Sequence, residues 1–305
     1  MSKKTERRIT SCGCSKDELD DTSIENEQEK ARRHVRDQYK SIAKGEPIEL
    51  PEEAKDIEPG PANYSKDELS SIPDGSNMGL GSGNPTSLAD VQPGEVVIDL
   101  GSGPGVDCFL AANKVGETGK VIGIDMTYEM IDRARDNALK GNYNNVEFRL
   151  GEIEHLPVAD NSADLIISNC VINLAPDKSQ VFREAFRVLK PGGRLIISDI
   201  MFGNEMPQKV RDAFKGSYGC VSSAVLMDEY LSMIEKAGFS NVEILDKHVI
   251  KGERREEHKG SKTDEEPKIQ IIADGKKVEL DLTPEELKVM ETAFLRAHVK
   301  AIKPN

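Results

Sequence analysis

The 305-residue chain has no apolar run approaching the ~20 residues that a membrane-spanning helix requires, so no bilayer span is expected. It is also short of positive charge. Its 41 basic residues stand against 54 acidic ones, for a net charge of -13, whereas a nucleic-acid-binding face needs a basic patch. The opening stretch Met1-Ser2-Lys3-Lys4-Thr5-Glu6-Arg7-Arg8 is basic but lacks the apolar h-region of a secretory signal. Five cysteines are an odd number and too sparse for a disulfide scaffold, so thiols kept reduced in a cytoplasm are the expectation. No internal repeat is visible. What the chain does have is length enough for one large α/β domain with appendages, or for two domains.

Residues 1–25 are polar and read as a flexible tail, with Cys12-Gly13-Cys14 as its one unusual feature. Residues 26–94 form an N-terminal helical and cover segment. Val35, Tyr39 and Ile42 share one helical face there, and Gly45 and Pro47 stop the helix. Ser65 and Glu68 fit a capping box. Met78-Gly79-Leu80-Gly81-Ser82-Gly83-Asn84-Pro85 is either a flexible cover or a close backbone approach to a ligand. Residues 95–203 alternate short apolar strands with amphipathic helices, the signature of a parallel sheet covered on both faces. Residues 204–250 read as mainly helical to 237, with a strand at Asn241–Leu245. Residues 251–268 read as a charged linker. Residues 269–305 read as a hairpin followed by a helix that begins at Thr283-Pro284-Glu285-Glu286.

The strongest local signal is Val96-Val97-Ile98-Asp99-Leu100-Gly101-Ser102-Gly103-Pro104-Gly105, a buried strand running into a glycine turn and then a helix. That layout brings a ligand against bare backbone at a helix N-terminus. The dinucleotide fingerprint GxGxxG would place a third glycine where this chain has Val106. Asp125 ends the next strand, where a carboxylate can take both hydroxyls of a ribose. Gly151-Glu152-Ile153 follows the strand after that, and Pro191-Gly192-Gly193 makes a tight turn further on.

These four elements, in this order, resemble the S-adenosylmethionine-dependent methyltransferases over residues 95 to about 200. The resemblance implies a Rossmann-like α/β sheet with helices on both faces, completed by a C-terminal α+β region that binds the substrate and covers the site. It implies S-adenosyl-L-methionine as cofactor, held by Asp99, Gly101, Ser102, Gly103, Gly105, Asp125, Met126, Glu152, Ile153, Asn169 and Val171. Asp125 would bind the ribose, and Met126, Glu152 and Ile153 would flank the adenine.

Within that family the chain is similar to the arsenite methyltransferases. The matching stretches are DLGSGPGVDCFLAA from Asp99, GIDMTYEM from Gly123 and LGEIEHLPVADNSADLIISNCVINL from Leu150. The resemblance implies that Cys170 and Cys220 are arsenic thiolates, catalytic in that sense. Trivalent arsenic is soft and prefers thiolate ligands, and its lone pair can attack a sulfonium methyl without a general base. Cys108, on an apolar helix, reads instead as a buried small hydrophobe.

One position departs from the family. Gly81-Ser82-Gly83-Asn84-Pro85 stands where the family commonly has Gly-Cys-Gly-Asn-Pro. Either methylarsenite, with one bond already filled, is the main substrate, or Cys12, Cys14 or glutathione supplies a third thiol. The resemblance also implies a thiol reductant, thioredoxin-like or glutathione, because methylation formally oxidises arsenic. The expected partners are arsenite, methylarsenite or their thiol conjugates, and such a reductant. A quinone-type C-methyltransferase, a non-catalytic arsenic-binding protein and a nucleotide-dependent oxidoreductase remain alternatives at this point.

Overall fold

A computed structural model describes residues 27–46, 64–250, 268–273 and 276–305. Cys12, Cys14, the expected tail 1–25 and residues 251–267 of the expected linker lie outside the described residues.

The chain opens with helix α1 (Glu27–Ala43), which buries only Ala31, Val35 and Ala43. Next come α2 (Lys66–Ser70), started by the Ser65/Glu68 capping box, and α3 (Pro85–Leu88), capped by Asn84. The alternating region then gives β1 (Val96–Leu100), α4 (Val106–Val115), β2 (Lys120–Asp125), α5 (Tyr128–Lys140), β3 (Val146–Leu150) and β4 (Ala163–Asn169). A 3-10 turn at Ile172–Leu174 leads to α6 (Lys178–Val188) and β5 (Leu189–Phe202). The remainder is α7 (Gln208–Ala213), α8 (Met227–Lys236), β6 (Ser240–Val249), β7 (Lys268–Ala273), β8 (Lys276–Asp281), α9 (Pro284–Met290) and β9 (Phe294–Ile302).

Seven strands form one sheet in the order β3-β2-β1-β4-β5-β9-β6, and β7 and β8 pair separately as a hairpin. β1 to β5 run parallel, and β9 is antiparallel to both β5 and β6. Two apolar layers cover the sheet. One packs Ile98, Leu100, Ile166 and Ile197 against α6 and α8, and the other packs Val97, Leu165 and Ile167 against α4 and α5. Burying each such aliphatic side chain contributes about 1.5–3 kcal/mol. The strand order reverses direction between β1 and β4, and ligands of open α/β sheets bind at the carboxyl ends of strands beside such a switch point. No helix among the described residues is long and apolar enough to cross a membrane.

The C-terminal expectations need correction. Residues 269–305 hold the expected hairpin, β7 and β8, and the expected helix start at α9, but the helix is short and a strand follows it. α9 stops at Met290, and Phe294–Ile302 enters the main sheet between β5 and β6. Leu295, Ala297, Val299 and Ala301 alternate along this strand and are all buried, the period of two that a sheet requires. The hairpin and α9 instead form a small cluster in which Leu282 and Ala293 are buried with Met206 and Val210. The stretch 204–237 is not one helical run. α7 and α8 flank a turn-rich segment containing Gly216, which has φ +78°, and Gly219. The Pro191-Gly192-Gly193 turn is a bulge carried within β5, where pairing jumps from Ala163↔Leu189 to Leu165↔Arg194.

Candidate functional site

The glycine turn leaves β1 through three left-handed residues, Gly101 (φ +67°), Gly103 (φ +51°) and Gly105 (φ +104°). A Cβ on Gly101 would stand 2.5 Å from Val171, and one on Gly105 2.6 Å from Phe109. At Gly103 a Cβ would meet no protein atom within 4 Å. The turn is therefore packed on two sides and open on the third. The buried Ser102 hydroxyl has no hydrogen-bond partner, which is costly unless a ligand satisfies it.

Asp125, half-buried at the end of β2, accepts the Gly103 N–H at 3.0 Å and the Thr127 N–H at 2.8 Å. Burial pushes its carboxyl above the ordinary range, and those two N–H groups oppose the shift. Met126, Glu152 and Ile153 stand half-buried after the neighbouring strand ends. Glu152 is ion-paired with Arg36 at 3.4 Å and Arg32 at 3.5 Å, both on α1. An orphaned hydroxyl, an open glycine and the Asp125 carboxylate beside it fit S-adenosylmethionine, which carries one hydroxyl-rich ribose and no pyrophosphate.

Two residues expected at the cofactor have their polar groups engaged elsewhere. Asp99 is buried and accepts the Cys108 S–H at 3.2 Å. The Asn169 side chain holds the Gly81–Asn84 cover. Its Oδ1 accepts the Ser82 and Gly83 N–H groups at 2.9 and 3.2 Å, and its Nδ2 donates to the Gly83 carbonyl at 2.8 Å. The same Nδ2 reaches the Tyr64 hydroxyl and Asp107, and Tyr64 donates to Asp107 at 2.7 Å. Glycine is needed at position 83 because His298 of β9 lies beneath it. A Cβ there would meet the imidazole Cε1 at 2.4 Å. His298 is itself fixed by a 2.6 Å hydrogen bond between its Nδ1 and the Ser198 hydroxyl.

Cys170 follows directly on β4 and is left-handed, with φ +59°. For a non-glycine residue this costs about 1–3 kcal/mol, and such strain clusters at functional sites. A 2.7 Å bond from its N–H to the Ser198 carbonyl fixes the conformation. Cys220, from the segment between α7 and α8, donates its S–H to the Cys170 carbonyl at 3.1 Å. The neighbouring Cys220 thiol, with burial, holds Cys170 well above the ordinary thiol range, while the Ser82 hydroxyl pulls it down. Ser82 is buried at 4% exposure and donates to the Ser198 carbonyl at 3.2 Å. Among the described residues no three His, Cys, Asp or Glu side chains group as metal ligands.

Several residues around this pair escaped the sequence reading. Tyr39, expected on the apolar face of α1, is half-buried, and burial together with the nearby Cys220 and Cys170 holds its phenol well above the ordinary range. Lys178, at the start of α6, lies near Cys220 and Asp199, and burial lowers its pKa. Asp199 is fully buried, and accepts from Tyr230 at 3.1 Å and from Asn173 at 2.9 Å. Cys108 is fully buried in α4, as expected of a structural cysteine.

Residues 92–238 match a family model described as a methyltransferase domain. An arsenite methyltransferase from Halobacterium salinarum is 53% identical over 184 residues, covering 60% of this chain and 47% of that protein. The arsenite methyltransferase of Homo sapiens is 39% identical over 170 residues, covering 52% of this chain and 45% of that protein. The chain thus spans about half the length of the curated relatives it matches. Among solved structures, CrArsM, an arsenic(III) S-adenosylmethionine methyltransferase from Chlamydomonas reinhardtii, superposes with a TM-score of 0.56 at 30% identity, covering 79% of this chain and 71% of that chain.

Proposed function

We propose that this chain, which belongs to the arsenite S-adenosylmethionine methyltransferase family, transfers a methyl group to trivalent arsenic held by Cys170 and Cys220. The observation that carries this is the Cys220 thiol seated on the Cys170 backbone at the carboxyl end of β4, where the next residue, Val171, packs against Gly101 of the turn.

The raised Cys170 thiol suits the chemistry. A hydroxylated arsenical exchanges each As–OH for an As–S bond, and the departing hydroxide leaves as water with the thiol proton. No general base has to be supplied. Cys170 and Cys220 then fix the arsenic lone pair in position, so geometry lowers the barrier. When bound, S-adenosylmethionine supplies the electrophilic sulfonium methyl. Asp125, Ser102 and the Gly103 backbone would hold it, with Glu152 and Ile153 on the adenine side.

Ser82 favours methylarsenite as the main substrate. Its hydroxyl shares the Ser198 carbonyl with the Cys170 N–H, where the family commonly places a third thiol. A hydroxyl is a poor ligand for soft arsenic, and methylarsenite needs only two thiolates. A small-molecule thiol such as glutathione could complete the site for arsenite. Returning the methylated arsenic to the trivalent state takes two electrons, which a thiol reductant of the thioredoxin or glutathione type would provide. Detoxification of arsenic is the corresponding role in the cell. The test is product speciation after incubating the full chain with S-adenosylmethionine, a thiol and either arsenite or methylarsenite. Dimethylated product from methylarsenite, lost in both Cys170→Ser and Cys220→Ser, is expected. Absence of any arsenic methylation with intact cofactor binding overturns the proposal.

A further inference from the structure

The glycine-rich cover lies directly on protein side chains. A Cβ on Gly81 would stand 3.0 Å from the Asn169 amide nitrogen, and one on Gly83 would strike the His298 ring. One buried carboxylate ties this cover to the body of the sheet. Asp107, in the first turn of α4, accepts the Thr86 hydroxyl on Oδ1 at 2.8 Å. Its Oδ2 accepts the Tyr64 hydroxyl at 2.7 Å and the Asn169 Nδ2 at 3.1 Å. Tyr64 also accepts from the Asn169 Nδ2 at 3.0 Å, so these donors brace one another. Asn169 relays the connection, since its Oδ1 takes the Ser82 and Gly83 N–H groups and its neighbour in the chain is Cys170. Thr86 holds the far end of the cover, and its carbonyl accepts the Lys114 Nζ at 2.8 Å. The helix that carries Asp107 starts directly after Gly105 of the glycine turn. A buried carboxylate is costly unless donors satisfy it, and here the donors come from three separate segments of the chain.

We propose that Asp107 is a positioning residue: through Tyr64, Thr86 and Asn169 it holds the 81–86 cover down beside Cys170, and the closed cover orients the arsenical rather than binding it. This rests on the arsenic chemistry proposed above. Trivalent arsenic is pyramidal. Two bonds to Cys170 and Cys220 leave two corners, one for the third substituent and one for the lone pair. Two sulfurs alone do not decide which corner takes which. The cover supplies the asymmetry, because position 82 stands at the Ser198 carbonyl that also accepts the Cys170 N–H. With the third substituent directed toward the cover, the lone pair is left to face the methyl donor. A cover that lifts lets the arsenical sit the wrong way round, bound but unreactive, and misorientation of that kind lowers the rate without weakening binding.

The test compares the full chain as wild type, Asp107→Asn and Tyr64→Phe. Tyr64→Phe keeps the ring, removes one donor to the carboxylate and carries the test alone if Asp107→Asn does not fold. Affinity for phenylarsine oxide, a trivalent arsenical with one bond filled, is expected to stay within about threefold of wild type, since both sulfurs remain. The kcat for methylarsenite is expected to fall about tenfold or more. Alkylation of Cys170 by iodoacetamide without arsenic, read by peptide mass spectrometry, is expected to quicken about fivefold as the cover opens locally. A kcat that stays at the wild-type value overturns the inference, whatever the alkylation rate. So does a loss of arsenical affinity in step with kcat, which would mean that the network only holds the thiol site together. A wild type that methylates no arsenical overturns the arsenic function and this role together, whereas wild-type kcat in the variants overturns this role alone.

Discussion

Ser82 and Cys170 meet at one carbonyl: the Ser82 hydroxyl donates to the Ser198 carbonyl at 3.2 Å, and the Cys170 N–H donates to the same oxygen at 2.7 Å. Position 82 thus lies beside the thiol pair. Ser82→Cys would place a third sulfur there with little change in volume. Giving up the hydroxyl bond costs about 1 kcal/mol of stability. Turnover of arsenite is expected to rise about tenfold, equivalent to about 1.4 kcal/mol of transition-state stabilisation, with methylarsenite turnover changing much less. The ratio of the two rates, measured on the same preparation, is the readout. An unchanged ratio would mean that the third ligand does not limit arsenite.

Cys170 and Cys220 are expected to behave as one unit. Each single serine substitution should lower methylation about 100-fold or more, and the double substitution should cost little beyond either single one, because residues that act together are not additive. Affinity for S-adenosylhomocysteine should stay within about threefold, since the glycine turn and Asp125 are untouched. Calorimetry of the three variants alongside product analysis checks both halves. Additive losses would show that the two sulfurs act independently.

The difference between what the sequence made visible and what it hid follows the distance along the chain over which each feature is built. The glycine turn, Asp125 and the Glu152-Ile153 pair each sit at the end of a strand recognisable from a few neighbours. Their meeting at one edge follows from parallel-sheet topology. Cys170 and Cys220 were legible through the residues flanking them. Tyr39 was not. A tyrosine at helical spacing with Val35 and Ile42 looks like core, and only the docking of α1 brings it near Cys220 and Cys170, which raise its phenol's pKa. β9 was hidden by α9. The Thr283/Glu286 capping box is a true helix start, and nothing nearby marks where the helix ends. His298 was hidden with it, since a polar residue within an alternating strand looks solvent-facing until Gly83 and Ser198 are found above it.

The glycine turn allows stability and binding to be separated by two similar changes. Gly101→Ala forces a Cβ to within 2.5 Å of Val171 at φ +67°, and both clash and strain act on the fold. A loss of about 2–4 kcal/mol and a clearly lowered Tm are expected. Gly103→Ala meets no protein atom, so only the left-handed conformation is penalised, by about 1–2 kcal/mol. Its new methyl would project into the space assigned to the cofactor, and S-adenosylhomocysteine affinity should fall about tenfold or more, a loss of at least 1.4 kcal/mol. Thermal melts and ligand titrations on both variants test this. Wild-type cofactor affinity in Gly103→Ala would place the cofactor elsewhere.

Asp199 gives a prediction with a definite sign in pH. Burial raises its carboxyl from an ordinary 3.8 to about 6, against the opposing pull of the Ile200 N–H, the Tyr230 hydroxyl and Lys178. The native state therefore holds this proton more tightly than the unfolded chain does. Stability from this group is fully present below about pH 4 and is lost as pH rises through about 6, by about 3 kcal/mol in all. Asp199→Asn removes the titration and can keep the geometry. Its amide oxygen can still accept from Ile200 and Asn173, and its NH2 can donate to the Tyr230 oxygen. Urea unfolding of both proteins from pH 4 to pH 7 should show wild type losing ground to the variant across that window. Because every other carboxylate is common to the two, their differences cancel in the comparison. Parallel pH profiles would mean that Asp199 keeps its charge when buried, with Lys178 as its counter-ion.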